Sequence, residues 1–432
     1  MKFPGRRKIK HYFPVNADNR FDRESTTFGH VNTYICGIDQ NMVDIYAHVD
    51  DSVFADFGLT KAASQWVDND TANRLYSFLQ QSGTIDNQYA GGTIGNTLHN
   101  YSILADDRSV QFGVMSQNIR VGDYAYGYLC NTSSKVDMAY LQPVEGAIGR
   151  CYTLITPDGE RTFAISPGSM NDLSHTFIPE QVITGSSALV LCAYTLGDES
   201  LPIYHATLKA AKIASDHGIP VALTLGTNML VENIREPLKQ FIRDHVTLVA
   251  MNEEEAQALT GQTDPLLACE AILELADMTL LTAGPEGLYL CGYTETALAR
   301  ETDNPIRSAG ISDFNRFEFS RPLRRVDCDE PMKIYSHISP YMGGPEKIRN
   351  TNGAGDGALS AVIHDIAANH FHREVLPTSG KHERPWLTYS SFSQVCKYAN
   401  RVSYEVLAQS SPRLSRALPE REDSLEETYW ER

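Results

Sequence analysis

Asp356 closes the run "TNGAGD", directly after Gly353, Ala354 and Gly355 and ahead of the apolar series Leu359, Val362, Ile363 and Ile366. That series has helical spacing, so a helix is expected to begin near Asp356 with the small residues as its entry loop. Glycine allows close backbone approach, and the first N–H groups of a helix, with its dipole, hold an anion. A carboxylate placed there is either a helix cap, since Asp is a favoured N-cap, or a base. Four further clusters of glycine and polar residues fall at comparable breaks. They are Asp39, Gln40 and Asp44 in "GIDQNMVD"; Gly91, Gly92, Thr93 and Asn96 in "GGTIGN", ahead of a helix expected near Thr97; Asn252 and Glu255 in "MNEEEA"; and Thr282, Gly284 and Gly287 in "TAGPEG". Each taken singly has a plainer reading as a turn, a cap or a solvated helix face. Their order along one chain gives them weight.

The elements that must hold these clusters follow from periodicity. "NTYICGIDQNMVDIYAHVD" reads as a strand, a turn around Gly37 and a second strand. Half-polar strands from about 110 to 165, with Asp158-Gly159 as a hairpin signal, suggest a small β lid formed by residues around 45–55 and 110–170. After Ile183 the pattern becomes apolar strands alternating with helices ("SALVLCAY", "IPVALTLG", "VTLVAMN", "MTLLTAG", "GLYLCGY"). Such strands indicate a mostly parallel sheet covered on both faces, a three-layer α/β/α sandwich whose ligands gather at the carboxyl ends of the strands. Residues 294–347 lack a period and read as an insertion. Residues 411–432 read as an acidic tail.

Composition narrows the classes. The 432 residues are 42% hydrophobic and 21% charged, enough for one large α/β domain or two smaller ones. No apolar run approaches a membrane span, and the start "MKFPGRRKIKHYFPV" has no apolar core of a signal peptide, which makes the cytoplasm the default location. Eight scattered cysteines without a C-x-x-C pair suit reduced thiols. A net charge of −17 opposes nucleic-acid binding, and the basic clusters at 6–10 and 321–325 are too short to reverse it and read as solvated surface.

Together the five clusters resemble the motifs of the ribokinase-like, or PfkB-type, carbohydrate and nucleoside kinases. "GG-x-x-x-N", "N-x-x-E", "T-x-G-x-x-G" and "T-N-G-A-G-D" stand in the family's order across residues 34–410, and the Walker pattern is absent. The resemblance implies Asp356 as catalytic base, with Gly353, Ala354 and Gly355 as the anion hole. It implies Asp44 and Asn96 on the ribose hydroxyls, Asp39, Gly91, Gly92 and Thr93 around them, and Gln40 at the base edge. Asn252 and Glu255 would organise Mg2+, Glu255 through water, and Thr282, Gly284 and Gly287 would lie along ATP. Asn350-Thr351 stands where many relatives with a K+ site have Asp-Thr. Stretches such as "ADDRSV" and "YMGGPEKI" further resemble the purine nucleoside kinases of the family, which implies 5′-phosphorylation of guanosine and inosine in purine salvage. Adenosine or a simple sugar is the alternative acceptor, and a non-catalytic nucleoside binder the alternative class. ATP and the nucleoside are the expected partners, with no nucleic acid or membrane, and self-association is left open.

Overall fold

The structure, a computed structural model, describes residues 33–302 and 310–418. The apolar strands bury side chains on both sides: Leu189 and Leu191 enter one core, Ala188 and Val190 the other. They belong to a nine-stranded sheet whose spatial order is Pro331–Ile338, Leu288–Glu295, Met278–Thr282, Leu248–Asn252, Val221–Thr224, Leu189–Cys192, Tyr34–Ile38, Arg108–Phe112 and Val136–Asp137. Pairing is parallel from Met278–Thr282 to Val136–Asp137, and the other two strands run antiparallel at one edge. Leu288–Glu295 returns through the short turn Ala283–Gly287, which cannot hold a crossover helix and so imposes antiparallel pairing. Helices Pro202–Asp216, Arg235–His245, Glu253–Thr260 and Pro265–Ile272 pack on one face. Thr93–Ala105, Ala354–Val375 and Phe392–Leu407 pack on the other, which completes three layers. None of the helices among the described residues is long and apolar enough to cross a membrane.

A second, five-stranded sheet has the order Ser64–Trp66, Arg161–Ser166, Gly149–Ile155, Met42–His48 and Ile85–Ala90. Helix Asn69–Ser82 closes its core through Ala72, Leu75 and Leu79. The boundaries expected for a lid therefore shift. Residues 52–57 are helical, and Arg108–Phe112 and Val136–Asp137 lie in the large sheet. Arg108–Phe112 looks half-polar because Ser109 and Gln111 are buried in hydrogen bonds, Ser109 to Ser102 at 2.9 Å and Gln111 to Asn41 at 2.7 Å. Ile85–Ala90 and Ser64–Trp66 are too polar or too short to be read as strands.

Other boundaries move as well. Gly37 lies inside strand Tyr34–Ile38, where a Cβ would come within 2.5 Å of Ile94 Cγ2, and the turn follows at 39–41. The two site helices start earlier than expected, at Thr93 and Ala354, because Gly92 (φ 87°) and Gly353 (φ 83°) take the N-cap positions. Pro331–Ile338 is an edge strand of the large sheet, so the stretch 294–347 expected as an insertion includes part of the sheet itself. Arg321 within it is half-buried: it donates to Thr388 O and Asn369 and stacks 5.0 Å over Trp386. The supposed tail also begins inside the fold, since residues 411–414 pack against helix Thr93–Ala105. The basic cluster at 6–10 and the acidic residues from 419 onward lie outside the described residues. All eight cysteines are free thiols.

Candidate active site

Two helix N-termini and several strand ends meet at one place. Asp39 directly follows strand Tyr34–Ile38, while Asn252 and Thr282 are the last residues of neighbouring parallel strands and lie opposite one another in register. The open carboxyl end of a parallel sheet is where its loops can form a site without disturbing the cores.

Asp356 is the third residue of helix Ala354–Val375 and makes no capping bond; Gly353 is the N-cap. The cap reading of Asp356 therefore fails on position. The N–H groups of Gly355 and Asp356 have no intrahelical acceptor, because a helix begins with such donors, and Ala354 N reaches Thr351 O at 3.5 Å. Gly353 is required twice: its φ is left-handed, and a Cβ would stand 2.5 Å from Pro412 Cβ. Asp356 Oδ2 accepts from Asn96 Nδ2 at 3.0 Å, joining the base candidate to the helix that follows Gly91 and Gly92. Burial pushes the Asp356 carboxyl up to about 7; the Asn96 bond and Arg413 oppose the shift, and the charges of Asp39 and Asp44 add to it.

Asp39 is 3% exposed. Its Oδ1 accepts from Ile94 N at 3.1 Å, and its Oδ2 is buried with no hydrogen-bond partner from the protein. A Cβ on Gly92 would collide with that oxygen, and one on Gly91 would lie 2.7 Å from Asp44 Oδ2. The two glycines thus allow the loop to lie directly against two carboxylates, with Thr93 starting the helix behind them. Burial pushes Asp39 up to about 6 and Asp44 up to about 7, each opposed by Arg413, and Asp39 raises Asp44 further. Asp39 Oδ2 is thus a buried acceptor position that the protein itself leaves unfilled. Gln40, on the same turn, donates to Asn171 Oδ1 at 2.5 Å.

Asn252 and Glu255 form a capping box at the start of helix Glu253–Thr260: Glu255 N donates to Asn252 Oδ1, and Asn252 N and Nδ2 donate to the two oxygens of Glu255 at 3.0 and 2.9 Å. Burial pushes Glu255 up to about 7, opposed by the Asn252 N–H and assisted by the charge of Asp356. Glu255 lies within electrostatic reach of Asp356. Among the described residues no group of three or more His, Cys, Asp or Glu could hold a metal. With both Glu255 oxygens already accepting from Asn252, its donor chemistry suits a hydrated ion met through water.

Thr282 Oγ1 bonds Met251 O at 3.5 Å beside this box. Gly284 opens a short 3-10 turn in free space, whereas Gly287 is buried at φ 103° with its backbone against Ile338 O, so packing alone accounts for that glycine. Asn350 ties its loop shut, donating to Ser410 O at 2.9 Å and accepting from Asn352 N at 3.0 Å. Asn352 in turn donates to Tyr46 of the second sheet at 2.8 Å. The structure thus brings Asp39, Asp44, Gly91, Gly92, Asn96 and Asp356 into one contact network, with Asn252, Glu255 and Thr282 beside it and Gly287 apart.

Sequence reasoning missed one member of the network, Arg413, which is 4% exposed and bonds Asn96 and Gly91 O, both at 3.0 Å. It stands in "SSPRLSRAL", outside every motif and within the stretch 411–432 that reads as an acidic tail.

The chain matches the family described as pfkB family carbohydrate kinase over residues 119–305. It is 56% identical to the guanosine-inosine kinase of Escherichia coli (strain K12), covering 100% of both chains. The fold is similar to adenosine kinase from Sinorhizobium meliloti (TM-score 0.62, 21% identity, 89% of this chain and 97% of that one). It is also similar to a probable sugar kinase from Rhizobium etli CFN 42 (TM-score 0.63, 19% identity, 90% and 96%). With its site motifs meeting at the carboxyl end of a ribokinase-like sheet, the chain belongs to the pfkB family of carbohydrate kinases.

Proposed function

We propose that the chain transfers the γ-phosphoryl group of ATP to the 5′-hydroxyl of guanosine and inosine, giving the monophosphates and ADP, as a cytoplasmic step of purine salvage. The observation that carries this reading is the bond between Asn96 of the acceptor side and Asp356 at a helix N-terminus, because it brings hydroxyl acceptors and an anion-holding helix end to one point. The choice of guanosine and inosine rests on the likeness, over 100% of both chains, to a kinase of that name.

Asp39 and Asp44 accept hydrogen bonds from the ribose diol, and Gly91 and Gly92 let the backbone close on the sugar. Asp356 takes the 5′-hydroxyl proton as the oxygen bonds to phosphorus, so the proton ends on its carboxylate and the leaving group is ADP. The N–H groups of Ala354, Gly355 and Asp356 stabilise charge on the transferred phosphoryl group. Mg2+, when bound, neutralises triphosphate charge; Asn252 and Glu255 would hold it through water, with Thr282 and Gly284 along the nucleotide. Asn350 is committed to closing its loop, and no role is assigned to K+.

The test is product formation from ATP across guanosine, inosine, adenosine and ribose. Preferred turnover of guanosine and inosine is expected. Comparable turnover of adenosine, or activity on ribose alone, would move the substrate class, and binding without turnover would make the chain a binder.

A further inference from the structure

We infer that Arg413 is a positioning residue for the phosphoryl-transfer step: it fixes the side-chain amide of Asn96 so that the N–H faces Asp356, and it supplies positive charge to the acceptor carboxylates. This rests on the reading of Asp356 as the base.

The argument starts from hydrogen-bond chemistry. A guanidinium only donates, and an ionised carboxylate only accepts. Arg413 Nε points at the Asn96 side chain at 3.0 Å, and Asp356 Oδ2 lies 3.0 Å from its other end. An amide between these groups has one allowed orientation, with oxygen toward Arg413 and NH2 toward Asp356. Without the guanidinium the amide is held by Asp356 alone, and while that carboxyl is protonated the amide can turn over and put its oxygen toward Asp356.

Arg413 is itself held without slack. One terminal nitrogen donates to Thr132 Oγ1 at 2.6 Å, and the other to Gly91 O at 3.0 Å and to the Tyr128 hydroxyl at 3.5 Å. Its plane lies 5.0 Å over the Tyr128 ring. The flanking backbone is clamped to helix Thr93–Ala105, with Leu414 N on Asn100 Oδ1 at 2.7 Å and Asn100 Nδ2 on Pro412 O at 3.3 Å. Pro412 also occupies the space that the missing Cβ of Gly353 leaves. One short segment therefore touches both the acceptor loop and the entry to the anion-holding helix.

The charge balance agrees with the geometry. The groups acting on Asp356 are Asn96 from helix Thr93–Ala105, Asp39 from the turn after the first strand, Asp44 from the second sheet, and Arg413. Asp356 in turn acts on Glu255 of helix Glu253–Thr260 and on the Cys192 thiol. Arg413 is the cation that opposes the upward shift at Asp39, Asp44 and Asp356 alike.

The experiment compares Arg413→Gln and Arg413→Lys in the full chain. Misplacement by about an ångström costs about 10²-fold in rate, so single-turnover phosphorylation of guanosine should fall about that much in the Gln variant and less in the Lys variant, with ATP affinity near wild type. Loss of the cation raises a nearby carboxyl by about one pH unit or more, so the acid limb of the rate profile should move to higher pH in the Gln variant. A carbon-13 NMR titration of Asp356 should move the same way. That readout stands even if the wild type makes no nucleoside monophosphate, which would sink the reading of function and not the positioning. Thr132→Val, which loosens the guanidinium while keeping it, should give a smaller shift in the same direction, and serves if the Arg413 variants do not fold. A folded Gln variant with wild-type rate, pH profile and Asp356 titration overturns the inference, as does a Thr132→Val variant in which neither rate nor titration moves.

Discussion

Asp356→Asn separates base from helix-end charge. Asp356 is the third helical residue and caps nothing, so the amide loses only its interaction with the helix dipole, about 0.3–1 kcal/mol. Against that stands relief from burying a charged group. The carboxyl is pushed up to about 7 by burial, with Asp39 and Asp44 adding to the shift. A carboxyl whose folded value is raised costs stability as pH climbs through the interval between its ordinary value, near 4, and about 7. At roughly 1.4 kcal/mol per unit, the full interval amounts to a few kcal/mol above pH 7 and to nothing near pH 4. This cost of burying the charge exceeds the dipole, so the Asn variant should melt at a higher temperature than wild type at pH 8 and at the same temperature, or slightly lower, near pH 4. Asn also retains an oxygen to accept from Asn96 Nδ2. Turnover should fall by about 10²–10⁴-fold, or about 3–5 kcal/mol of barrier, because the proton acceptor is gone. Single-turnover phosphorylation of guanosine, alongside thermal unfolding at both pH values, reads both effects. Near-normal turnover in a folded variant would refute the assignment of the base, and a lower melting temperature at pH 8 would refute the argument from the buried charge.

Asp44→Ala should weaken guanosine binding by about 1–3 kcal/mol with ATP binding unchanged, measured by titration calorimetry; a loss on the ATP side alone would mean the two pockets are exchanged. Glu255→Gln should raise the magnesium concentration for half-maximal rate by about 10–100-fold at unchanged guanosine affinity, and an unchanged magnesium requirement would remove Glu255 from that role. Gly353→Ala strains a left-handed position and meets Pro412, so urea unfolding should show a loss of about 1–3 kcal/mol or more. Unaltered stability there would contradict the contact between the 412–414 segment and the helix entry.

The sequence made the chemistry legible where a local pattern and a backbone need coincide. Gly91, Gly92 and Gly353 are glycines because carboxylates or Pro412 occupy the space of a Cβ, and the apolar strands after Ile183 show their two buried faces directly. Legibility failed where long-range contacts override local pattern. Gln111 looks like part of a solvent-facing alternation and is buried against Asn41, 70 positions away. Gly287 carries a motif position, yet its own packing against Ile338 explains it. Arg413 had no local signal at all, since nothing within "SSPRLSRAL" encodes Asn96, Thr132 or Gly91 as neighbours.

The late position of Arg413 has a consequence for how the protein is made. It lies 317 residues after Asn96 along the chain. At about 5–20 residues per second of synthesis, that separation is roughly 15–60 s during which the first strand, the turn carrying Asp39 and the helix after Gly92 can exist without their cation. Asp39 and Asp44 would have to be protonated or hydrated in that interval, which keeps the acceptor pocket open and wet on the nascent chain. Docking of the 412–414 segment expels that water and locks the helix entry in a single late event. Assembly of the pocket thereby waits for the 412–414 segment, and a ribosome-stalled fragment ending before residue 412 should fold its sheet layers while binding no nucleoside.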